Sequence, residues 1–182
     1  MKRWLLILLS FLGCRKIDSN GYTTYIIKEG GHRSVFRIKT TRSDKIEFSV
    51  LFDQSAVYQT KDSVNQLDIN KLYGLSDCGA NHIESSMRFG WRWYNDSLEI
   101  HWFKHSDSEF SFEKICDAPI GLPISCSLEI KEHEYVMTVD GTKVNVVRAP
   151  CDLNQRKYYL YPYFGGDETA PHDIKIKIKE RR

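Results

Sequence analysis

Apolar and polar residues alternate with a period of two along most of the chain. Between Lys45 and Asp53, Ile46, Phe48, Val50 and Phe52 fall on one side of an extended backbone. Leu98, Ile100 and Trp102 alternate with Glu99, His101 and Phe103. Tyr135, Met137 and Val139 run into Asp140-Gly141, and Val144 and Val146 resume the alternation beyond it. An Asp-Gly pair between two such runs predicts a two-residue hairpin, because both central residues need positive φ. Ile174, Ile176 and Ile178 alternate with Lys175, Lys177 and Lys179. This predicts a surface strand with one charged face, placed at a sheet edge where lysines discourage further pairing.

The pattern predicts strands over 22–28, 34–39, 45–52, 82–93, 98–104, 110–116, 125–130, 135–139, 142–147, 158–163 and 173–179. Helical periodicity is confined to Val64–Tyr73, where one or two turns are expected. Many short strands separated by turn signals imply an all-β, antiparallel sandwich or barrel. The 182 residues suit one domain, expected over 22–182, after a leader of residues 1–14 and a short polar tether of 15–21.

The leader changes the picture of where the chain works. Lys2 and Arg3 precede the apolar run Trp4–Leu12, then Gly13 and Cys14. A short basic region, an apolar core and small residues form a secretory signal, and the run is too short for a membrane span. Phe11-Leu12-Gly13-Cys14 resembles a bacterial lipobox. That implies lipidation at Cys14 and attachment to the cell envelope, at the outer membrane or cell surface, by acyl chains alone. The formal charge is +2, and loss of Lys2 and Arg3 leaves 24 bases against 24 acids. Such a balance argues against nucleic acid as a partner.

Four cysteines follow the leader, and export permits disulfides. Cys116 and Cys126 flank a stretch with Pro119, Gly121 and Pro123 that reads as a turn between strands, so a Cys116–Cys126 bridge is expected. Cys78 and Cys151 would form the remaining pair; the alternative is buried free thiols.

Two segments could carry chemistry. Read as a strand, 82–93 places His82, Glu84, Ser86, Arg88 and Arg92 on one face and Ile83, Ser85, Met87, Phe89, Trp91 and Trp93 on the other. Glu99 and His101 extend the polar row on the next strand. The row is either a solvated face or a ligand groove; arginine there would suit the carboxylate of an acidic sugar. The second segment, 158–173, joins four tyrosines to Gly165-Gly166 and an acidic loop. Tyr161 and Tyr163 would offer stacking surface to a sugar. Asp167, His172 and Asp173 would serve as loop ligands or loop staples, and Asp167, Glu168 and Asp173 could supply oxygen ligands to calcium. Serine-nucleophile elbows, zinc-protease helices, phosphate-binding loops and the Glu-x-Asp-x-Glu pattern of sandwich glycoside hydrolases are absent from the sequence.

Asn70-Lys71-Leu72-Tyr73-Gly74, Ser76-Asp77-Cys78-Gly79, His82, Arg88–Trp93 and Leu160–Ile174 together resemble a group of small exported lipoproteins of Bacteroides-type bacteria. The resemblance implies a concanavalin A-like (lectin/glucanase) jelly-roll sandwich and leaves activity open. The function expected is non-catalytic binding of a glycan or an envelope protein, through His82, Arg88, His101, Tyr161, Tyr163, Asp167, His172 and Asp173. The alternatives are a polysaccharide lyase acting on an acidic polymer, or an envelope-assembly component. A lyase would need a base beside a neutralised uronate, from residues such as His82, Arg88, His101 and Tyr161.

Overall fold

The structure, a computed structural model, describes residues 17–35 and 37–181. The leader and Cys14 lie outside them. In chain order the strands are β1 (Thr23–Ile27), β2 (Thr40–Thr41), β3 (Lys45–Phe52), β4 (Asn70–Ser76), β5 (Ser85–Tyr94) and β6 (Ser97–Ser106). They continue with β7 (Glu109–Ala118), β8 (Ile124–Ile130), β9 (Glu134–Val139), β10 (Thr142–Val147), β11 (Lys157–Leu160) and β12 (Ile174–Arg181). Two six-stranded antiparallel sheets result, in the orders β1-β12-β3-β8-β9-β10 and β2-β11-β4-β5-β6-β7.

The alternating apolar residues of both sheets meet in one core. Phe48 of the first sheet packs edge-on against Tyr73 and Phe89 of the second, with centroids 5.1 and 5.4 Å apart, and Phe52 meets Trp91 at 5.2 Å. Hairpin turns with paired positive φ join β5 to β6, β6 to β7 and β9 to β10. Asp140-Gly141 makes one as expected, and Asn95-Asp96 and Asp107-Ser108 make two more without glycine. Gly74 is required by close packing: a Cβ there would sit 2.3 Å from the Met87 carbonyl and 2.4 Å from Arg88 Cα.

Several expectations need correction. β12 is not an edge strand but is hydrogen-bonded between β1 and β3. Its lysines project normal to the sheet, whereas pairing runs in the plane, so a charged face does not mark an edge. Lys177 instead pairs with Asp18 at 3.2 Å, within a turn formed by residues 17–21, and Lys179 lies over the Tyr22 ring. The expected helix over Val64–Tyr73 is a single 3-10 turn, Ser63–Leu67, followed by β4. A register shift between Lys71 and Tyr73 buries consecutive residues and hides the period of two. The described residues of the expected 34–39 strand, 34–35 and 37–39, are not in a strand, and β11 ends at Leu160, before Pro162. His82–Glu84 belong to a turn, since β5 starts at Ser85.

Cys78 and Cys151 are bonded, with Cα atoms 5.6 Å apart. Cys116 and Cys126 are free thiols. The connection between them is not a hairpin: it carries the chain from β7 in the second sheet to β8 in the first. Burial raises the Cys126 thiol pKa further above its usual range. Alkylation of denatured, unreduced protein should therefore label Cys116 and Cys126 and spare Cys78 and Cys151. A crosslinked Cys116–Cys126 peptide in the mass spectrum would contradict this pairing.

Candidate functional site

Strand register builds the site on the outer face of the second sheet. Arg88 on β5 faces Phe103 on β6, which faces Phe112 on β7. Ser86 faces His105, which faces Phe110; Gly90 faces His101, which faces Lys114. On the other side Gly74 and Leu160 continue the Arg88 row.

Arg88 is 7% exposed. Its Nε has no hydrogen-bond partner, and no carboxylate among the described residues pairs with the guanidinium. Its nearest aromatic contact is the Phe103 ring, 5.8 Å from Cζ. Burial brings its pKa down to about 10. A buried charge normally has a partner, because desolvating it costs several kcal/mol. Arg88 instead floors a hollow of about 240 Å³, bordered by His82, Tyr158, Tyr163, Arg33 and Arg37 and lined by no acid among the described residues.

Tyr158 and His82 form a pair on the wall. The His82 backbone N–H donates to the Tyr158 hydroxyl at 2.7 Å, and His82 Nδ1 lies 3.0 Å from the same oxygen. Ser86 holds the turn by donating to the His82 carbonyl at 2.6 Å. Burial, aided by Arg88 and Arg33, lowers the His82 pKa, which favours neutral imidazole. His105 is brought down to about 4, chiefly by burial and then by Arg88. Lys71 donates to the Gly165 carbonyl at 3.0 Å and lies 4.6 Å above the Phe103 ring. Burial, then the charge of Arg88, brings its pKa down to about 8. Phe103, Phe110 and Phe112 are nearly parallel, with planes within 9° and centroids 5.6–6.3 Å apart. Phe110 is 61% exposed, so these rings present an apolar rim next to the cationic hollow.

The structure divides the residues singled out from the sequence. His82, Arg88, Tyr161 and Tyr163 line the hollow. Tyr161 is buried, with its ring packed against Tyr25 and Tyr73, while the Tyr163 ring stacks on His32. His101 shares the outer face but does not line the hollow; its Nε2 joins a network around Glu99, and its buried Nδ1 has no partner among the described residues. Glu99 accepts from Arg92 Nε at 2.6 Å and Lys114 Nζ at 3.1 Å and contacts His101 Nε2 at 3.1 Å. Asp173 accepts from Lys28 Nζ and the Glu29 amide, which staples β12 to β1. Glu168 accepts from the Lys61 and Asp62 amides, and Asp167 is exposed nearby. His172 Nε2 lies 2.9 Å from the Ser55 carbonyl, at a different hollow. Asp167, Glu168 and Asp173 do not converge as a calcium site would require. Among the described residues the grouping with metal-ligand spacing is Asp77, Cys78 and Cys151, and its two sulfurs are bonded to each other.

Sequence reasoning missed Lys71, Tyr158, His105, Arg33 and Arg37. His105 was within reach, since it continues the alternation of Glu99, His101 and Phe103. Tyr158 and Lys71 were not, because a long sequence separation and a bulge place them there.

No protein-family model matches the chain, and no curated protein does. Solved structures do. The alginate lyase AlyC3 superposes with a TM-score of 0.59 at 9% identity, over 91% of this chain and 76% of that one. The laminarinase catalytic domain of Thermotoga maritima MSB8 gives 0.54 at 12%, over 88% and 76%. SCLam, a non-specific endo-β-1,3(4)-glucanase of family GH16, gives 0.55 at 12%, over 88% and 70%. At these identities the likeness establishes the fold alone, which is an antiparallel jelly-roll β-sandwich.

Proposed function

We propose that this protein binds an acidic polysaccharide without cleaving it, seating a sugar carboxylate on Arg88. The observation that carries the reading is the buried guanidinium without an ionic partner on the floor of an acid-free hollow. A carboxylate would supply two charge-assisted hydrogen bonds to the planar fork. The phenyl rim would take the apolar face of a neighbouring sugar ring. Similar folds handle glycans: AlyC3 has been solved in complex with dimannuronate, an acidic disaccharide. In this reading acyl chains on Cys14 hold the domain at the cell envelope, where such polymers are met.

The test is retardation in native gels cast with alginate or polygalacturonate, against an uncharged dextran. Retardation by an acidic polymer alone is expected; equal mobility in all three gels would refute the proposal. The binding should also depend on pH. Lys71 is a base with a lowered pKa of about 8, so it loses its positive charge as pH rises through that value. Affinity should therefore fall between about pH 7 and pH 9, and Lys71→Met should weaken binding several-fold and flatten the slope.

A second reading, β-elimination, is favoured by the Tyr158–His82 pair beside Arg88. With a uronate carboxylate neutralised by Arg88, this pair would accept the C5 proton as the C4–O bond breaks. The product would be an unsaturated uronide and a new chain end. Ultraviolet absorbance of the unsaturated product would establish it; retention without absorbance favours binding alone.

A further inference from the structure

A larger hollow, of about 560 Å³, opens at the far end of β5 from the Arg88 site. Its walls come from residues 57–66, from the β5–β6 turn and from His172. Gln66 locks two of these walls together. Its amide donates to the Trp93 carbonyl at 2.6 Å and the Tyr58 carbonyl at 3.3 Å, and its oxygen accepts from the Thr60 backbone N–H at 2.9 Å. His172 ties in the third segment through the Ser55 carbonyl. The hollow is thus held open by bonds in its walls, which lowers the ordering cost of binding.

A second set of lining groups takes no part in that bracing. The Trp93 indole N–H, the Ser63 hydroxyl, the Gln59 and Asn95 amides and the Asp96 carboxylate make no hydrogen bond among the described residues. They mix donors and acceptors around an aromatic surface. Arg92 covers one face of Tyr94, with Cζ 4.7 Å from the ring centre. Among the described residues no lysine or arginine lines the hollow, and the one carboxylate there, Asp96, is exposed. An anionic ligand would meet Asp96 with no compensating cation. A cationic ligand would find no buried acid. A polyhydroxylated ring with an apolar face meets what is present: its hydroxyls match mixed donors and acceptors, and its C–H face matches the indole.

We infer that this hollow is a second carbohydrate site, which takes an uncharged sugar ring against Trp93. It does not depend on anion binding at Arg88. The two sites would let one sandwich hold a charged and an uncharged glycan, or two parts of one mixed polymer.

The test follows the indole N–H signals of the 15N-labelled full chain during titration with maltotetraose, cellotetraose, laminaritetraose and mannotetraose. Trp93→Phe identifies the Trp93 signal. At least one sugar is expected to shift that signal saturably while the signal of buried Trp91 stays in place. Ser63→Phe fills the hollow from an exposed position and should weaken that binding at least tenfold. The same variant should leave retention by alginate or polygalacturonate unchanged, which separates failure of this site from failure of the Arg88 site. No shift at Trp93 with any of the four sugars, or unweakened binding in Ser63→Phe, would overturn the inference.

Discussion

Replacing Arg88 by methionine is expected to raise the melting temperature while abolishing retention by acidic polysaccharide. Arg88 is a buried cation whose Nε has no partner and whose guanidinium pairs with no carboxylate among the described residues. Methionine replaces the apolar stem with an unbranched one that is two atoms shorter than the arginine side chain, and removes the desolvated charge. Exchanging buried charges for apolar side chains of similar volume commonly stabilises by about 1–4 kcal/mol. For a domain of this size that is a rise of roughly 2–16 °C. Binding should move the other way. Loss of a buried, charge-assisted pair costs about 2–5 kcal/mol, or roughly 30- to 4,000-fold in affinity. Arg88→Lys should bind with intermediate strength, since it keeps the charge but not the planar fork. Thermal melts and native-gel retention of the same samples check both signs together. A destabilised Arg88→Met variant that still binds would assign Arg88 to the fold instead.

The second buried arginine should behave in the opposite way. Arg148→Ala is expected to destabilise the protein by about 3–5 kcal/mol, a fall of roughly 6–20 °C in the melting temperature. Arg148 and Asp77 have fully buried side chains. Arg148 donates Nε to Asp77 Oδ2 at 2.5 Å and Nη2 to Oδ1 at 3.1 Å, and its Nη1 reaches the Glu132 carbonyl at 2.9 Å. Alanine would leave the Asp77 carboxylate buried with only the Tyr135 hydroxyl and the Cys78 amide as donors. The pair also carries a pH signature. Burial alone would raise the Asp77 pKa, but hydrogen bonds from Arg148, Tyr135 and the Cys78 amide outweigh it and hold the value below the usual range. A depressed folded-state pKa gives a contribution that is complete above the unfolded-state value, near pH 4, and is lost as pH falls through the folded one. The wild-type melting temperature should therefore drop more steeply in acid than that of Asp77→Asn/Arg148→Met. Parallel acid profiles for the two proteins would disprove the assignment.

The contrast between the two arginines shows why a sequence yields candidates and not a site. Arg88 and Arg148 are the same residue type, and both are buried. Asp77 neutralises one of them from 71 positions away. The other faces a hollow assembled from residues 33, 35, 37, 38, 82, 88 and 158–163. No local pattern separates these outcomes.

What the sequence determined by itself was local. The strand over Lys45–Phe52, the Asp140-Gly141 hairpin and the division of 85–93 into an apolar and a polar face follow from alternation and turn chemistry within a few residues. So does the all-β class, because no long helical period competes with the period of two. What only the tertiary structure decided was non-local. It put β12 between β1 and β3, left Cys116 and Cys126 unpaired across a change of sheet, and brought the Tyr158 hydroxyl to the His82 ring. It also turned the 158–173 segment from one expected site into parts of several: Tyr163 at the Arg88 hollow, Asp173 on a staple, and His172 at the neighbouring hollow. The physical reason is that side-chain direction repeats along a strand, whereas strand order and hydrogen-bond partners depend on segments far apart in the chain.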